Sequence, residues 1–111
     1  MSTNKSFSTE TSERYSRALY EVCKESNELK KVEEDVNNFQ SLFDNNSEIK
    51  NFIQNPTNTI ETQIKVLKIL SEKLGFTKNF KNFFLLLIEK RRIFFVKKIL
   101  ENFLRICLKN R

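Results

Sequence analysis

The sequence predicts an all-α fold, a single six-helix bundle, on three observations. Gly75 and Pro56 are the only glycine and proline among 111 residues, which leaves almost no chemistry for the tight turns of β-hairpins. Apolar side chains recur every three or four residues through most of the chain, the period of a helix and not of a strand. Residues 83–88 read Phe-Phe-Leu-Leu-Leu-Ile between Lys81-Asn82 and Glu89-Lys90-Arg91-Arg92. Six successive apolar residues cover every side of a helix, whereas a surface helix needs one apolar stripe. That helix wants more than one neighbour, and a small domain has few to offer, so part of its surface is a candidate for another protein.

The elements follow in order. Residues 1–11 are polar, with Phe7 the one large apolar side chain after the start Met, and read as a flexible N-terminus without the apolar region of a secretion signal. Over 12–26, Tyr15, Ala18, Leu19, Val22 and Cys23 share one arc of a helix while Arg14, Arg17, Glu21 and Lys24 lie outside it. Ser26-Asn27 breaks this first helix, and Glu28 places a carboxylate in the first turn of the second. The second helix runs to about residue 44 on a seam of Leu29, Val32, Val36, Phe39, Leu42 and Phe43. Ser47 is the expected cap of a short third helix carrying Ile49, Phe52 and Ile53, stopped at Asn55-Pro56 because the residue before proline leaves the α region.

The stretch 58–61, Asn-Thr-Ile-Glu, has the form of a capping box. The fourth helix that follows is expected to bury Ile60, Ile64, Leu67, Leu70 and Leu74 and to close on Gly75, which takes the left-handed conformation without steric cost. Thr77 caps the fifth helix, which holds the apolar run. The sixth should bury Ile93, Val96, Ile99, Leu100, Phe103 and Cys107, with Lys97, Lys98, Arg105 and Lys109 outward. No Gly, Pro or Asn separates the last two helices, so one long helix over 77–108 is the alternative. A break near residues 90–92 is preferred, since only a fold-back buries Phe103, Ile99 and Val96, at about 2 kcal/mol for each larger side chain.

A chain of this length makes one domain, burying roughly 65% of its unfolded surface without staples. Cys23 and Cys107 stand far apart and are expected to be reduced packing residues of an intracellular compartment. Histidine is absent, which removes the commonest general base and metal ligand. With no Gly-rich phosphate loop either, no catalytic residue, cofactor or metal is expected. No stretch approaches the ~20 apolar residues that span a bilayer. Of the net charge of +6, residues 1–56 carry 7 basic and 10 acidic groups and residues 57–111 carry 13 and 4. Such asymmetry suits a solvated Lys-rich face, an acidic partner, nucleic acid or an anionic membrane. The run Glu33-Glu34-Asp35 reads as a solvated helix face rather than paired catalytic carboxylates.

Residues 14–22, Arg-Tyr-Ser-Arg-Ala-Leu-Tyr-Glu-Val, then Asn55-Pro56, then Asn82-Phe83 with Leu-Leu-Leu-Ile-Glu over 85–89 and Arg92-Ile93, together resemble the N-terminal domain of the ATP synthase delta subunit, the family that includes the mitochondrial oligomycin-sensitivity-conferring protein. The resemblance covers 12–109 and implies a six-helix bundle, in agreement with the independent count. It further implies a non-catalytic component of the peripheral stalk of an F-type, proton-translocating ATP synthase, attached to the cytoplasmic face of the bacterial inner membrane only through the complex. The family's apolar groove between helices one and five receives the N-terminal helix of an alpha subunit. Alignment carries Tyr15, Ala18 and Leu86 to that groove, and helical spacing adds Val22, Phe83 and Lys90.

On this partition Leu19, Cys23, Phe80, Phe84, Leu87 and Ile88 face the core, and Phe83 and Leu86 are the expected anchors; the alternative is that the whole run 83–88 is core. Family members often carry Asn-Gly where Lys90-Arg91 stands here. They also continue into a second domain that meets the stalk's b subunit, which the resemblance places outside this chain. Two rival functions are a helical nucleic-acid binder using Lys78, Lys81, Lys90, Arg91, Arg92, Lys97 and Lys98, for which no recognisable DNA- or RNA-binding motif is present, and a self-associating bundle that buries Phe83 and Leu86 against its own copy.

Overall fold

A computed structural model describes residues 7–110. The six helices are α1 (Phe7–Glu25), α2 (Leu29–Asn45), α3 (Ser47–Gln54), α4 (Ile60–Leu74), α5 (Lys78–Glu89) and α6 (Val96–Lys109), with a 3-10 turn at Ile93–Phe95 before the last. The first helix begins ahead of the expected start at residue 12; of the N-terminus expected to be flexible, residues 1–6 lie outside the described residues. The early start has a packing cause. α6 lies along α1 as its most extensive partner, and the first half of α1 buries Thr11, Ser12 and Ser16, small side chains that let helices approach closely. Lys98 Nζ donates to Thr9 Oγ1 at 2.9 Å near the start of both helices, while Arg17, Tyr20 and Lys24 line one hollow with Ile106 and Lys109 toward their ends. α1 and α6 are therefore parallel.

Helix ends explain the boundaries. Thr59 and Thr77 cap α4 and α5 by accepting from Thr62 N and Phe80 N. The capping box expected over 58–61 does not form, since Asn58 turns back to donate to Phe52 O at 2.9 Å. α3 is capped by Asn46, whose side chain accepts from Ile49 N at 3.0 Å, and not by Ser47, which lies inside the helix. At the other ends, Asn27, Gly75 and Arg91 take φ of 61°, 65° and 59°. Each is followed by an N–H that reaches back five residues, Glu28 to Cys23 O, Phe76 to Ser71 O and Arg92 to Leu87 O, satisfying carbonyls the helix leaves open. The preferred break between helices five and six is thus present, and Arg91 makes it despite the left-handed strain that glycine would avoid.

The core is an aromatic-aliphatic centre shared by all six helices. Phe84 touches Phe39 and Phe80 edge-on at centroid distances of 5.0 and 5.1 Å, the geometry that ring quadrupoles favour. Val32, Val36, Phe39 and Phe43 of α2, and Val96, Ile99, Leu100, Phe103 and Cys107 of α6, are buried as their spacing predicts. Three expectations change. α4 buries Gln63 and Ser71 beside Leu67 and Leu70 and leaves Ile60, Ile64 and Leu74 half-buried, because α5 and α2 both pack on it and turn its inner face between them. Lys97 is not simply outward: it pairs with Asp44 of α2 and sits 5.4 Å from the Phe43 ring. Asp35 leaves the solvated face assigned to the run 33–35 and is buried, its Oδ2 accepting from Thr77 N at 2.8 Å and pinning α2 to the α4–α5 turn.

Candidate functional site

α1 and α5 run antiparallel. At one end Asn79 Nδ2 donates to Ser26 Oγ at 2.8 Å and to Glu28 Oε1 at 3.0 Å; at the other Arg92 Nη1 reaches Thr11 Oγ1 at 3.4 Å. Between these clasps the helices leave a groove of about 250 Å³ lined by Ala18, Leu19, Val22, Asn79, Asn82, Phe83 and Leu86. Two of its apolar side chains are left open to solvent, Val22 at 49% and Leu86 at 37% relative exposure. Open aliphatic side chains facing each other across two helices are a surface for which burial is favourable.

The structure divides the sequence-expected residues. Ala18, Val22, Phe83 and Leu86 come together in the groove. Phe83 is only 7% exposed, so it is the floor of the trough and not a projecting anchor. Tyr15 does not line the groove; its ring meets Phe83 edge-on at 6.4 Å, and the Arg92 guanidinium lies 5.8 Å over it, making a wall that closes one end. Lys90 is exposed one turn beyond Leu86 and does not line it either. The other side of α5, Phe80, Phe84, Leu87 and Ile88, is buried with Leu19 and Cys23 of α1, the inward half of the partition. Leu19, Asn79 and Asn82 were not singled out as groove residues. The spacing 79, 82, 83, 86 on α5 carries them on one stripe, but two asparagines among apolar residues read as solvent-facing when only hydrophobicity is followed.

Nothing in this groove offers reactive chemistry. The Cys23 thiol, in no disulfide and fully buried, is pushed up to about 12 by burial first and then by Cys107, Glu28 and Asp35, which keeps it protonated and a poor nucleophile. Among the described residues no group of three or more His, Cys, Asp or Glu could hold a metal, and no helix is long and apolar enough to cross a membrane. A second hollow, lined by Phe52, Gln63, Leu67 and Ile93, has about 20 Å³, room for a single water. The cations of the nucleic-acid alternative are partly engaged within the chain: Lys97 with Asp44, Lys98 with Thr9, Arg91 with Asn58 O at 3.4 Å and Arg92 with Tyr15.

The family described as "ATP synthase delta (OSCP) subunit" matches residues 11–111. The chain is 38% identical over 107 residues to ATP synthase subunit delta of Pelagibacter ubique, covering 96% of this chain and 58% of that protein. It is similar to the subunits delta of Desulfosudis oleivorans, at 39% over 88 residues and covering 79% and 48% of the two chains, and of Trichormus variabilis, at 35% over 103 residues and covering 92% and 55%. It thus spans about half the length of the curated relatives it matches.

Proposed function

Because this chain belongs to the ATP synthase delta (OSCP) family, we propose that it is a non-catalytic clamp of the peripheral stalk, holding the N-terminal helix of an alpha subunit in the groove between α1 and α5. The observation that carries this reading is the open apolar strip in which Val22 and Leu86 face solvent over a floor of Phe83. An amphipathic helix laid along it would bury its apolar face in the helix-in-groove mode, with anchors at helical spacing. A clamp that resists rotor torque needs slow dissociation, and affinity differences usually lie in off-rates, which favours buried apolar contacts over rim charges. On this reading the contact with the stalk's b subunit belongs to the second domain that the resemblance implies, and the membrane is met only through the complex.

The test is titration of the 111-residue chain with a synthetic N-terminal segment of the alpha subunit from the same source. Leu86→Asp should leave the bundle folded and remove binding, since its carboxylate would lose water in the complex without a partner. Undiminished affinity in the variant would take Leu86 out of the groove. Mass measurement in solution separates this reading from a bundle that covers the strip with its own copy.

A further inference from the structure

Resting on the helix-in-groove reading, we propose that Asn79 and Glu28 set the register of the docked helix by demanding a basic side chain, Lys or Arg, from it at their end of the groove. The chemistry of Asn79 is fixed by its neighbours. A carboxylate can only accept, so the amide nitrogen must face Glu28, and the hydrogens of that nitrogen go to Glu28 Oε1 and Ser26 Oγ. Its Oδ1 is then the unspent hydrogen-bonding atom of a side chain that lines an otherwise largely apolar trough. A guest that covers this end with a purely apolar face strips water from that acceptor and returns nothing, a loss larger than the gain of an average hydrogen bond. Asn82, exposed one turn further along α5, adds a second amide to the same stripe.

Charge decides which donor fits. Glu28, whose Oε1 lies 3.0 Å from the Asn79 amide nitrogen, puts a carboxylate beside the open acceptor, and a cationic donor gains from both where a neutral one gains only from the amide. A helix whose basic donor meets Asn79 therefore answers both the unspent acceptor and the carboxylate next to it. A single polar position in an apolar seam specifies register in the same way in coiled coils.

The experiment titrates the 111-residue chain with the synthetic alpha N-terminal segment and with versions in which each Lys and Arg is replaced, one at a time, by Met. One replacement should weaken binding about tenfold or more, the scale of a lost hydrogen bond to a charged group, and the same replacement should cost less than about twofold against Asn79→Leu. If circular dichroism shows Asn79→Leu unfolded, Glu28→Gln carries the test. It keeps an acceptor for the Asn79 amide but removes the rim charge, and should weaken the native segment and not the Met version. If no replacement separates native chain from variant while binding still depends on Leu86, the register proposal is overturned and the groove reading stands. If the native segment does not bind, or binds Leu86→Asp equally, both fall.

Discussion

At the scale of single residues, the buried polar groups carry the sharpest consequences. Asp35 reaches from α2 to the backbone N–H of Thr77 at 2.8 Å while 5% exposed. Replacing it with Ala strands that N–H and should cost about 1–3 kcal/mol, whereas Asp35→Asn keeps an acceptor and should cost less; urea unfolding of the two variants checks the order, and equal losses would mean that the contact contributes nothing specific. Cys23 gives a pH dependence with a definite sign. Its thiol is raised from 9.0 to about 12 in the folded chain, so above pH 9 the unfolded state releases a proton that the folded state keeps. Stability must then fall as pH rises from about 9 toward 12, by up to ~1.4 kcal/mol per unit, and it is fully present below that window. Lysines and tyrosines titrate there too, so the measurement is the difference between the native chain and Cys23→Ala, whose stability should decline less steeply with alkali.

At the scale of helices, α5 shows what a local pattern can and cannot reveal. Its inward half, Phe80, Phe84, Leu87 and Ile88, was legible because the 3.6 period fixes which residues share a face once one is assigned to the core. The break at residues 90–92 was legible from the need to bury α6, although its device, a left-handed Arg91, leaves no mark in residue type. What remained hidden depends on partners distant in sequence. Asp35 is buried because the α4–α5 turn comes to it, α1 starts early where α6 lies along it and Lys98 reaches Thr9, and Tyr15 becomes a wall because Arg92 returns from the far end of α5. The same three-dimensional context separates Phe83 from Leu86, which sequence treated alike as anchors. Phe83→Ala empties a site that is 7% exposed and should destabilise the bundle by about 3–5 kcal/mol, while Leu86→Ala, at 37% exposure, should cost far less stability. Thermal melts that place both variants within a few tenths of each other would mean that Phe83 is not the floor described here.

At the scale of the whole molecule, the question is whether its net charge of +6 or its apolar strip governs what it binds. The acidic first half and the basic second half are neighbours within one bundle, and α6 lies against α1 and α2. Part of the asymmetry is spent internally, as in the pairing of Lys97 with Asp44 across α6 and α2. The apolar strip has no such internal use, since Val22 and Leu86 face outward. These two sources of affinity answer differently to salt. A protein that neutralises six to ten phosphates loses about 10³–10⁵ in affinity between about 50 and 200 mM salt, whereas burial of apolar surface is insensitive to screening and only the charged ends of the groove respond. Binding of the alpha N-terminal segment should therefore weaken by less than about tenfold over that range, and any association with duplex DNA should collapse. A steep salt dependence for the peptide would shift the weight from Val22, Phe83 and Leu86 to the rim charges, and with it the source of slow dissociation on which a stator clamp depends.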